Sequence, residues 1–466
     1  MAELVDAPDL KSGVLRGVPV RFRSVVFSLK ISYLLFSISY YHLNNTIMSS
    51  KLSLAMCGCG SRARTYSNIA MDLEGQFEIV AGADPIAARV DAVRESSKNP
   101  DFQSFSSAQD LLDQPKMADI MFIGTQDNYH FEPAKKALEL GYHLLLEKPA
   151  AQSIDEIKEL AEIAKKYDRK IVLCFVLRYT DFYSKVKEII DSGRLGEIIS
   201  IRAHEGVEPF HHAHSFVRGH WGKSAESTPM IIAKCSHDTD IISWLMGSPC
   251  KSVSSVGSIS HFSEQHAPEG ATDRCTDGCP HTDTCIYNAL RYTTDRESWL
   301  RMIYPDPIKK RETQEVVDWL KISPWGRCVY KCDNDVVDHQ QVLMEFKSGA
   351  SATLSMTAFD SGRTLEIYGT KASLRGGDAI KQQFETDIVI RDHYAGELEK
   401  ITLADPEEGE YTGHGGGDHG LISALSGIIH GTAGSASSLI ETSIESHIIG
   451  FSAEESRLQG GVKVSL

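Results

Sequence analysis

The run Gly58-Cys59-Gly60-Ser61-Arg62-Ala63 has the residue types and spacing of a turn that holds phosphate groups. It lies between an apolar run at residues 52–56, which predicts a buried strand, and a helical pattern. In such a turn the first glycine permits a sharp bend, the second lets a pyrophosphate approach the backbone, and the small sixth residue lets the helix pack on the strand. The alternative is a tight turn without a ligand. The predicted dinucleotide-binding residues are Gly58, Gly60, Ser61, Arg62 and Ala63.

Asp84 indicates which dinucleotide the turn favours. It ends a second apolar run at residues 77–83, one predicted strand after the glycine turn. A carboxylate at this place accepts hydrogen bonds from both hydroxyls of an adenosine ribose, and its charge opposes a 2′-phosphate. The sequence therefore predicts NAD as the cofactor, with NADP as the less favoured alternative.

The segment after Asp84 alternates between helical and strand patterns. Apolar runs at residues 118–124 and 143–146 predict two further buried strands, and a polar group follows each of them. This alternation predicts a parallel sheet with right-handed crossovers, which binds ligands at the carboxyl ends of its strands. Both polar groups therefore belong to the same edge of the sheet as the glycine turn. The cofactor contacts expected there are Thr125, Gln126, His130, Glu147 and Lys148.

Lys148 is the first candidate for a catalytic base. When NAD oxidises a secondary alcohol, a hydride leaves the carbon and the protein must take up the hydroxyl proton. Lys148 lies at a predicted strand end beside the cofactor, and Pro149 restricts its backbone. Burial there would lower its pKa toward about 7–8. The alternative is a lysine that only donates hydrogen bonds to cofactor or substrate.

Together these motifs resemble the Gfo/Idh/MocA family of NAD(P)-dependent oxidoreductases, which act on sugars, polyols and related compounds. The resemblance rests on the glycine turn, the strand that ends in Asp84, the loop with His130 and the sequence Glu147-Lys148-Pro149. It implies an α/β fold with two domains. An N-terminal Rossmann domain with a doubly wound parallel sheet would span residues 48–175. A C-terminal α+β domain with an open, mainly antiparallel sheet would span residues 176–466 and bind substrate and other subunits.

His237 is the second catalytic candidate, and it rests on the same resemblance. The family carries D-x-x-x-H on a helix at this place, with the histidine at the substrate hydroxyl, and His237 matches that histidine. The position of the acid is occupied by Ala233, so the chain departs from the commonest pattern. Either Lys234 takes over part of the role of the acid, or the substrate differs. The alternative for His237 is a structural histidine.

Two stretches of the second half are further candidates for substrate binding. The segment 210–221 is rich in His, Arg and Trp, which supply donors for hydroxyl groups and an aromatic face for a sugar ring. The alternative is a solvated loop. The glycines of the loop 414–419 imply close backbone approach, also to a substrate. The predicted substrate-binding residues are Arg178, Tyr179, Arg218, Trp221, Lys234 and His237.

A group of cysteines has ligand types suited to zinc. Cys275, Cys279 and Cys285 have the spacing C-x3-C-x5-C, and Cys328 with Cys332 could complete a site. None of these pairs has the tight C-x2-C spacing. Structural zinc, unpaired thiols and disulfides therefore remain as three alternatives, with Cys275, Cys279 and Cys285 as the predicted ligands.

The composition suits an enzyme that acts on small molecules. The chain has 466 residues, enough for two or three domains, and its formal net charge of −15 argues against a nucleic-acid partner. Cys57 and Cys59 lie in and beside the nucleotide turn, where a disulfide would be destructive. This indicates a reducing, cytoplasmic setting. We expect no membrane partner, and we expect a homo-oligomer because oligomers are common in the family.

Residues 1–47 do not resemble the rest of the chain. A mostly apolar run at residues 24–41 follows several basic residues and is interrupted by Lys30. It is not followed by a small-residue cleavage site, and it is at the lower length limit for a membrane span. Residues 1–10 resemble the translation of a transfer-RNA gene. We therefore expect Met48 to be the true start and residues 1–47 not to belong to the native protein; an export signal or anchor is the alternative.

The resemblance predicts transfer of a hydride between the nicotinamide and a secondary hydroxyl of a sugar, a sugar derivative or a cyclic polyol. One alternative is a glycosidase that uses bound NAD transiently, by oxidising C3 of a sugar, eliminating the aglycone and reducing the product. Another is a non-catalytic protein that keeps the cofactor fold as a sensor, although Lys148 and His237 are both present.

Overall fold

The computed structural model describes residues 51–306, 311–404, 413–432, 434 and 437–466. The expectations for residues 1–47 and for a start at Met48 lie outside these ranges. Two sheets organise the described residues, one with six strands and one with nine. None of the described helices is long and apolar enough to cross a bilayer.

The six-stranded sheet is parallel throughout and has the order β3-β2-β1-β4-β5-β6. Its strands are β1 (Leu52–Cys57), β2 (Phe77–Ala83), β3 (Gln103–Phe105), β4 (Ile120–Ile123), β5 (His143–Leu146) and β6 (Ile171–Leu173). The helices between them are α1 (Ser61–Asp72), α2 (Ala87–Ser97), α3 (Ala108–Leu112), α4 (Phe131–Glu139) and α5 (Ile154–Lys166). The strand order reverses between β1 and β4, and ligands of doubly wound sheets bind at such a switch point.

Burial on both faces explains why these strands read as continuous apolar runs. Every residue of β4 is buried, as are the last four residues of β1. Helices cover both faces of a parallel sheet, so alternation of apolar and polar residues is not required. The carboxyl ends of β1, β4 and β5 consequently meet at one edge, where the glycine turn lies.

The nine-stranded sheet has the order β14-β13-β12-β11-β7-β10-β9-β8-β15. Strands β7 and β10 are parallel and the other neighbours are antiparallel. Its strands are β7 (Ile198–Val207), β8 (Cys250–Ser258), β9 (His339–Phe346), β10 (Ser351–Thr357), β11 (Ser361–Gly369), β12 (Ala372–Gly377), β13 (Ile388–Asp392), β14 (Leu398–Ile401) and β15 (Val464–Ser465). These observations confirm the predicted fold class.

Helices cover one face of this sheet and leave the other open. In β9, Val342, Met344 and Phe346 are buried, whereas the alternating Gln341 and Leu343 are exposed. The α-helices of this part are α6 (Asp181–Asp191), α7 (Pro209–His212), α8 (Met230–Ala233), α9 (Ser236–Met246), α10 (Glu297–Ile303), α11 (Thr313–Leu320), α12 (Asp378–Phe384), α13 (Gly417–His430) and α14 (Ile440–Leu458). Helix α14 packs on β8 and α9, and α13 packs on α1. The end of the chain therefore joins the two sheets.

Candidate active site

The glycine turn at the end of β1 has the geometry that the sequence predicts. Gly58 has a φ of +87°, and a Cβ atom there would lie 2.6 Å from the carbonyl oxygen of Gly124. Gly60 is the N-cap residue of α1, and a Cβ atom there would meet no protein atom within 4 Å. The space above Gly60 is what a pyrophosphate needs in order to approach the helix N-terminus. The turn therefore fits a dinucleotide.

Asp84 directly follows β2, and its side chain hydrogen-bonds the backbone of the glycine turn. One carboxylate oxygen accepts a hydrogen bond from the Cys59 N–H at 3.0 Å, and the other accepts from the Ile86 N–H at 2.9 Å. An ionised carboxylate has about four acceptor sites, so it can also accept from ribose hydroxyls. Arg89 lies beside it, with Nη1 at 4.0 Å.

Helix α1 starts at Ser61, and its next two residues have different roles. Ala63 is buried in the core between α1 and the sheet, as its small size predicts. Arg62 turns its side chain away to form ion pairs: Nε donates to Glu147 at 3.0 Å and Nη1 donates to Asp418 at 3.0 Å. The structure thus places Arg62 as a bridge between the glycine turn and α13.

Asp418 also binds His414, in the glycine-rich loop before α13. The distance from His414 Nδ1 to the Asp418 carboxylate is 3.2 Å. Burial alone would raise the pKa of Asp418, but the contacts with His414 and Arg62 outweigh it and hold this pKa well below its usual value. His414 has a φ of +52°, and its ring centroid lies 5.7 Å from that of His237. The loop therefore reaches the histidine predicted to be catalytic.

The polar loops at the ends of β4 and β5 are held together by His130. Its Nδ1 lies 2.7 Å from the Pro149 carbonyl oxygen, and its Nε2 lies 3.1 Å from that of Thr125. His130 is buried, so it fixes the backbone of both loops. Thr125 and Gln126 remain accessible at the sheet edge. Glu147 accepts from Arg62 and from the Tyr66 hydroxyl, which orients the residue before Lys148.

Lys148 reaches across to the second half of the chain. Its Nζ donates to the carbonyl oxygen of Ala233 at 2.8 Å, at the end of α8 and directly before α9. Burial is the main cause that lowers the pKa of Lys148, and Lys234 and Arg62 lower it further. Glu147 and Asp127 oppose this shift only in part. The direction of the pKa shift is the one expected from the sequence.

His237 lies in the first turn of α9 and is only 3% exposed. Its Nδ1 has no hydrogen-bond partner among the described residues, and its ring lies edge-on to Phe175. Burial lowers its pKa well below the usual value, and the charge of Lys148 is the next cause. His237 is therefore a neutral imidazole at neutral pH. The hydrogen bond from Lys148 to Ala233 O brings Lys148 to the backbone four residues before His237.

A network of charged side chains, partly buried, lies next to the start of α9. Lys234, which follows Ala233, forms an ion pair with Glu205 at 3.2 Å. Arg363 contacts Glu205 and Asp238, each at 2.8 Å. Arg363 comes from β11, far along the chain, and the sequence offered no signal for it. The network holds Lys234 beside the Lys148–His237 pair.

Two of the predicted substrate residues, Arg178 and Tyr179, make contacts between elements of the fold. Arg178 is buried and donates through Nε at 2.8 Å to Asp240, and also to the carbonyl oxygens of Ser437 and Thr442. The Tyr179 hydroxyl binds Ser438. These contacts tie the segment after β6 to α9 and to the start of α14. The structure does not bring either residue to Lys148.

Trp221 and Arg218 both lie on the segment after α7. Their side chains contact different parts of the structure. Trp221 donates through Nε1 to Asp127 at 3.0 Å, at the end of β4, and Thr228 donates to the same carboxylate. Trp221 therefore lies at the sheet edge with the cofactor residues. Arg218 points instead into the connection between β8 and β9, where it contacts Cys275.

The structure does not support a zinc site at Cys275, Cys279 and Cys285. In the described ranges, no three or more His, Cys, Asp or Glu side chains are arranged around a point that one metal ion could occupy. The three thiols line the wall of a cavity. All ten cysteines are free thiols, so the disulfide alternative is also not supported.

The chain is similar in sequence to two further proteins. An oxidoreductase of Bacillus subtilis, YteT, is 22% identical over 69% of this chain and 76% of its own length. Inositol 2-dehydrogenase of Corynebacterium glutamicum is 27% identical over 44% of this chain and 57% of its own length.

Two solved structures share the fold. The WlbA dehydrogenase of Bordetella pertussis, in complex with NADH and UDP-GlcNAcA, has a TM-score of 0.58 at 16% identity, covering 89% of this chain and 99% of its own. The scyllo-inositol dehydrogenase of Lactobacillus casei, with NAD(H) and scyllo-inositol, has a TM-score of 0.58 at 17% identity over the same shares.

Family models match most of the described chain. Residues 52–175 match the NAD-binding Rossmann fold of the Gfo/Idh/MocA oxidoreductases, and residues 187–402 match the C-terminal alpha/beta domain of the same family. The glycine turn, Asp84 and Lys148 lie in the first match, and His237 and Arg363 lie in the second. The chain therefore belongs to the Gfo/Idh/MocA oxidoreductase family.

Proposed function

We propose that the protein is an NAD-dependent oxidoreductase that transfers a hydride to or from a secondary hydroxyl of a sugar, a sugar derivative or a cyclic polyol. The single observation that carries the proposal is the 2.8 Å hydrogen bond from Lys148 to Ala233 O. It brings an amine at the cofactor edge to the start of the helix that carries His237. The inositol dehydrogenases among the relatives and solved structures support a polyhydroxylated substrate.

Lys148 would accept the proton of the substrate hydroxyl. A protonated lysine has three donors and no acceptor, whereas the neutral amine has two N–H groups and one lone pair. Its lowered pKa increases the fraction of neutral amine at working pH. One N–H donates to Ala233 O, and this bond orients the lone pair. The nicotinamide, when bound, supplies the acceptor or donor of the hydride.

His237 would orient the same hydroxyl. A neutral imidazole has one donor and one acceptor nitrogen, so it can hydrogen-bond a hydroxyl without carrying a charge. Its low pKa keeps it neutral while Lys148 changes its charge. Two groups whose pKa values are shifted by a shared environment can take the separate roles of base and orienting residue.

The preference for NAD over NADP would come from Asp84. We expect Asp84→Ser to weaken binding of NAD by tenfold or more and to improve binding of NADP, because Arg89 then lacks its carboxylate neighbour and can face a 2′-phosphate. Titration of both cofactors into the wild-type and variant proteins measures this change. Asp84→Asn is the control that removes the charge but keeps the shape. Unchanged selectivity in both variants would refute the assignment of Asp84.

The proposed activity can be tested with a panel of sugars, glycosides, uronic acids and inositols. The protein is incubated with NAD and each compound, and NADH and released products are measured together. Net formation of NADH with one class of compound supports the dehydrogenase. Release of sugar or aglycone without net NADH identifies the glycosidase mechanism instead. Tight binding of NAD without turnover of any compound is the result expected of a sensor.

The open face of the nine-stranded sheet is the proposed contact between copies of the chain. Val256 and Leu343 are each at least half exposed on strands β8 and β9. Sedimentation should show a homo-oligomer that Leu343→Asp dissociates, whereas the control Ile286→Asp, equally exposed outside the sheet, leaves it intact. Sedimentation of the wild-type protein as a monomer would refute this contact. A cytoplasmic setting and domain limits at residues 48–175 and 176–466 also remain proposals.

A further inference from the structure

The loop that carries Lys148 is held by a histidine from the far end of the chain. The Ala150 N–H, two residues after Lys148, donates to Nε2 of His447 at 3.1 Å, and 297 positions separate the two partners. His447 lies in α14 and is fully buried. No motif in the sequence pointed to this residue. The contact depends on the tertiary structure, in which α14 packs on α5 and β6.

The hydrogen bonds around His447 define its tautomer. A backbone N–H can only donate, so Nε2 of His447 is the ring nitrogen with the lone pair. Nδ1 therefore carries the proton, and it lies 3.3 Å from the Ser446 hydroxyl oxygen. That hydroxyl donates its own proton to the Ser443 carbonyl oxygen at 2.6 Å, so its oxygen accepts from Nδ1. The neutral imidazole thus forms one bond to α14 and one bond to the loop of Lys148.

The other polar atom of the same peptide group is also bound. The Pro149 carbonyl oxygen lies 2.7 Å from Nδ1 of His130, which is buried. His130 and His447 therefore hold the peptide group between Pro149 and Ala150 by its oxygen and by its nitrogen. An unpaired backbone group in a buried place is costly, so this peptide group resists rotation. It orients the backbone directly after Lys148.

The residue next to His447 binds the helix that carries His237. Thr239 Oγ1, in the first turn of α9, donates to the Ser446 carbonyl oxygen at 3.1 Å. The Phe175 ring contacts both histidines, with centroid distances of 5.9 Å to His237 and 5.5 Å to His447. One turn of α14 therefore contacts both the loop after β5 and the start of α9.

We propose that His447 is a positioning residue for the hydride transfer: its bond to Ala150 holds the Lys148 amine where one substrate hydroxyl can contact both Lys148 and His237. The proposal rests on the proposed function. His447 itself takes no part in the chemistry, because its Nε2 lone pair is occupied by the Ala150 N–H. The bond from Lys148 to Ala233 O, at 2.8 Å, requires the loop to stay in place.

Loss of the bond at Ala150 should change the protonation of Lys148. Burial is the main cause that lowers the pKa of this lysine. A released loop lets the amine reach water, so the pKa should rise toward 10.5. Neutral His447 contributes no charge, so its removal acts on this pKa through position alone. The charged and titratable groups that face Lys148 are unchanged in such a variant: Glu147, Asp127, Lys234, Arg62 and His237.

The experiment compares His447→Phe with His447→Gln in the full chain. Phenylalanine keeps a ring against Phe175 but has no acceptor, whereas the glutamine amide oxygen can accept from the Ala150 N–H. Acylation of Lys148 by acetic anhydride is measured by mass spectrometry as a function of pH, which requires no substrate. The midpoint should rise by about one pH unit or more in His447→Phe and should stay near the wild-type value in His447→Gln. Hydrogen exchange at Ala150 should be at least about tenfold faster in His447→Phe.

Ile449→Val is the matched control. Ile449 is buried in the same helix, and its apolar side chain cannot bind the Ala150 N–H. The control should lower the unfolding temperature but keep the midpoint of Lys148 acylation. An equal shift in Ile449→Val would overturn the proposal, because it would show a general effect of stability. An unchanged midpoint and unchanged hydrogen exchange in His447→Phe would also overturn it.

Activity separates this proposal from the proposed function. Where the wild-type protein oxidises a substrate, kcat/KM of His447→Phe at pH 7 should fall about tenfold for each pH unit by which the midpoint rises, with NAD binding unchanged. An unchanged kcat/KM in His447→Phe would overturn the positioning role. A wild-type protein that turns over no compound contradicts the proposed function; acylation and hydrogen exchange then still decide whether His447 positions Lys148.

Discussion

Arg62 in the dinucleotide turn and Asp418 at the start of α13 form an ion pair between residues 356 positions apart in the chain. The carboxylate is buried, and the guanidinium also binds Glu147, the residue before Lys148. Asp418 in turn holds His414 next to His237. One ion pair thus connects the cofactor turn, the predicted base and the glycine-rich loop.

Asp418→Asn should destabilise the protein by about 2–3 kcal/mol, because it leaves the Arg62 charge without its main partner. Chemical denaturation of the wild-type and variant proteins measures the loss. Asp91→Asn is the matched control: its ion pair with Arg94 is about half exposed and should contribute less than about 0.5 kcal/mol. Equal losses in the two variants would show that the Arg62–Asp418 pair does not stabilise the fold.

The rate of alcohol oxidation should rise with pH through the pKa of Lys148, because only the neutral amine can accept the proton. Since burial lowers this pKa, the rise should occur below the usual value of 10.5. Lys148→Met should reduce kcat/KM by about 10²–10⁴-fold and remove this rise, without weakening NAD binding more than a few fold. The measurement is kcat/KM as a function of pH. Lys135→Met, at a partly exposed lysine of α4 far from the glycine turn in the sequence, is the control and should keep the wild-type profile.

Gly58 and Gly60 should respond differently to alanine. Gly60→Ala adds a methyl group where no protein atom lies within 4 Å, so stability should change by less than about 1 kcal/mol. The methyl group occupies the space proposed for the pyrophosphate, so NAD should bind at least about tenfold more weakly, a loss of roughly 1.4 kcal/mol. Calorimetric titration with NAD measures the affinity. Unchanged affinity in Gly60→Ala would place the cofactor elsewhere.

Gly58→Ala should lower both stability and affinity. A residue with a side chain is strained at a φ of +87°, and the new Cβ would clash with Gly124 O. We expect a loss of about 1–3 kcal/mol in the free energy of unfolding. Thermal unfolding without NAD separates this effect from that of Gly60→Ala.

His212 should make stability depend on pH. It is fully buried between the rings of Phe216 and Phe262, and neither ring nitrogen has a partner among the described residues. Burial lowers its pKa from 6.5 to about 4, and Asp338 opposes this shift. The unfolded chain therefore binds the proton more readily, so stability is present above pH 6.5 and falls as the pH drops toward 4.

His212→Phe should remove this dependence. At pH 5 the variant should gain about 2 kcal/mol relative to the wild type, whereas near pH 8 the difference should be within about 1 kcal/mol. Denaturation midpoints at both pH values measure the gain. His430→Phe, at an exposed position, is the control and should show the same difference at both pH values. A gain that does not depend on pH would refute the role of His212 in acid instability.

Local patterns predicted the sheet of the first domain closely. Strands β1, β2, β4 and β5 lie within three residues of the apolar runs that predicted them, because a strand buried on both faces must be apolar throughout. In the second sheet, the strands β13 and β14 have no comparable apolar signal in the sequence. Their apolar runs are short, and Leu398 is exposed. The extent of the connection between β8 and β9 was likewise not predicted, because it contains little regular periodicity.

The sequence by itself determined the dinucleotide turn, Asp84 and the position of Lys148, because each depends on residues within one strand–turn–helix unit. It did not determine which polar side chains meet. The sequence predicted both Arg178 and Arg218 as substrate-binding residues. In the structure Arg178 binds Asp240, whereas Arg218 lines the cavity that also contains Cys275. No motif or spacing in the sequence pointed to Arg363 as a site residue, although it contacts Glu205 and Asp238. Only the tertiary structure decided these contacts, because charge pairing in a buried site depends on distances between elements far apart in the chain.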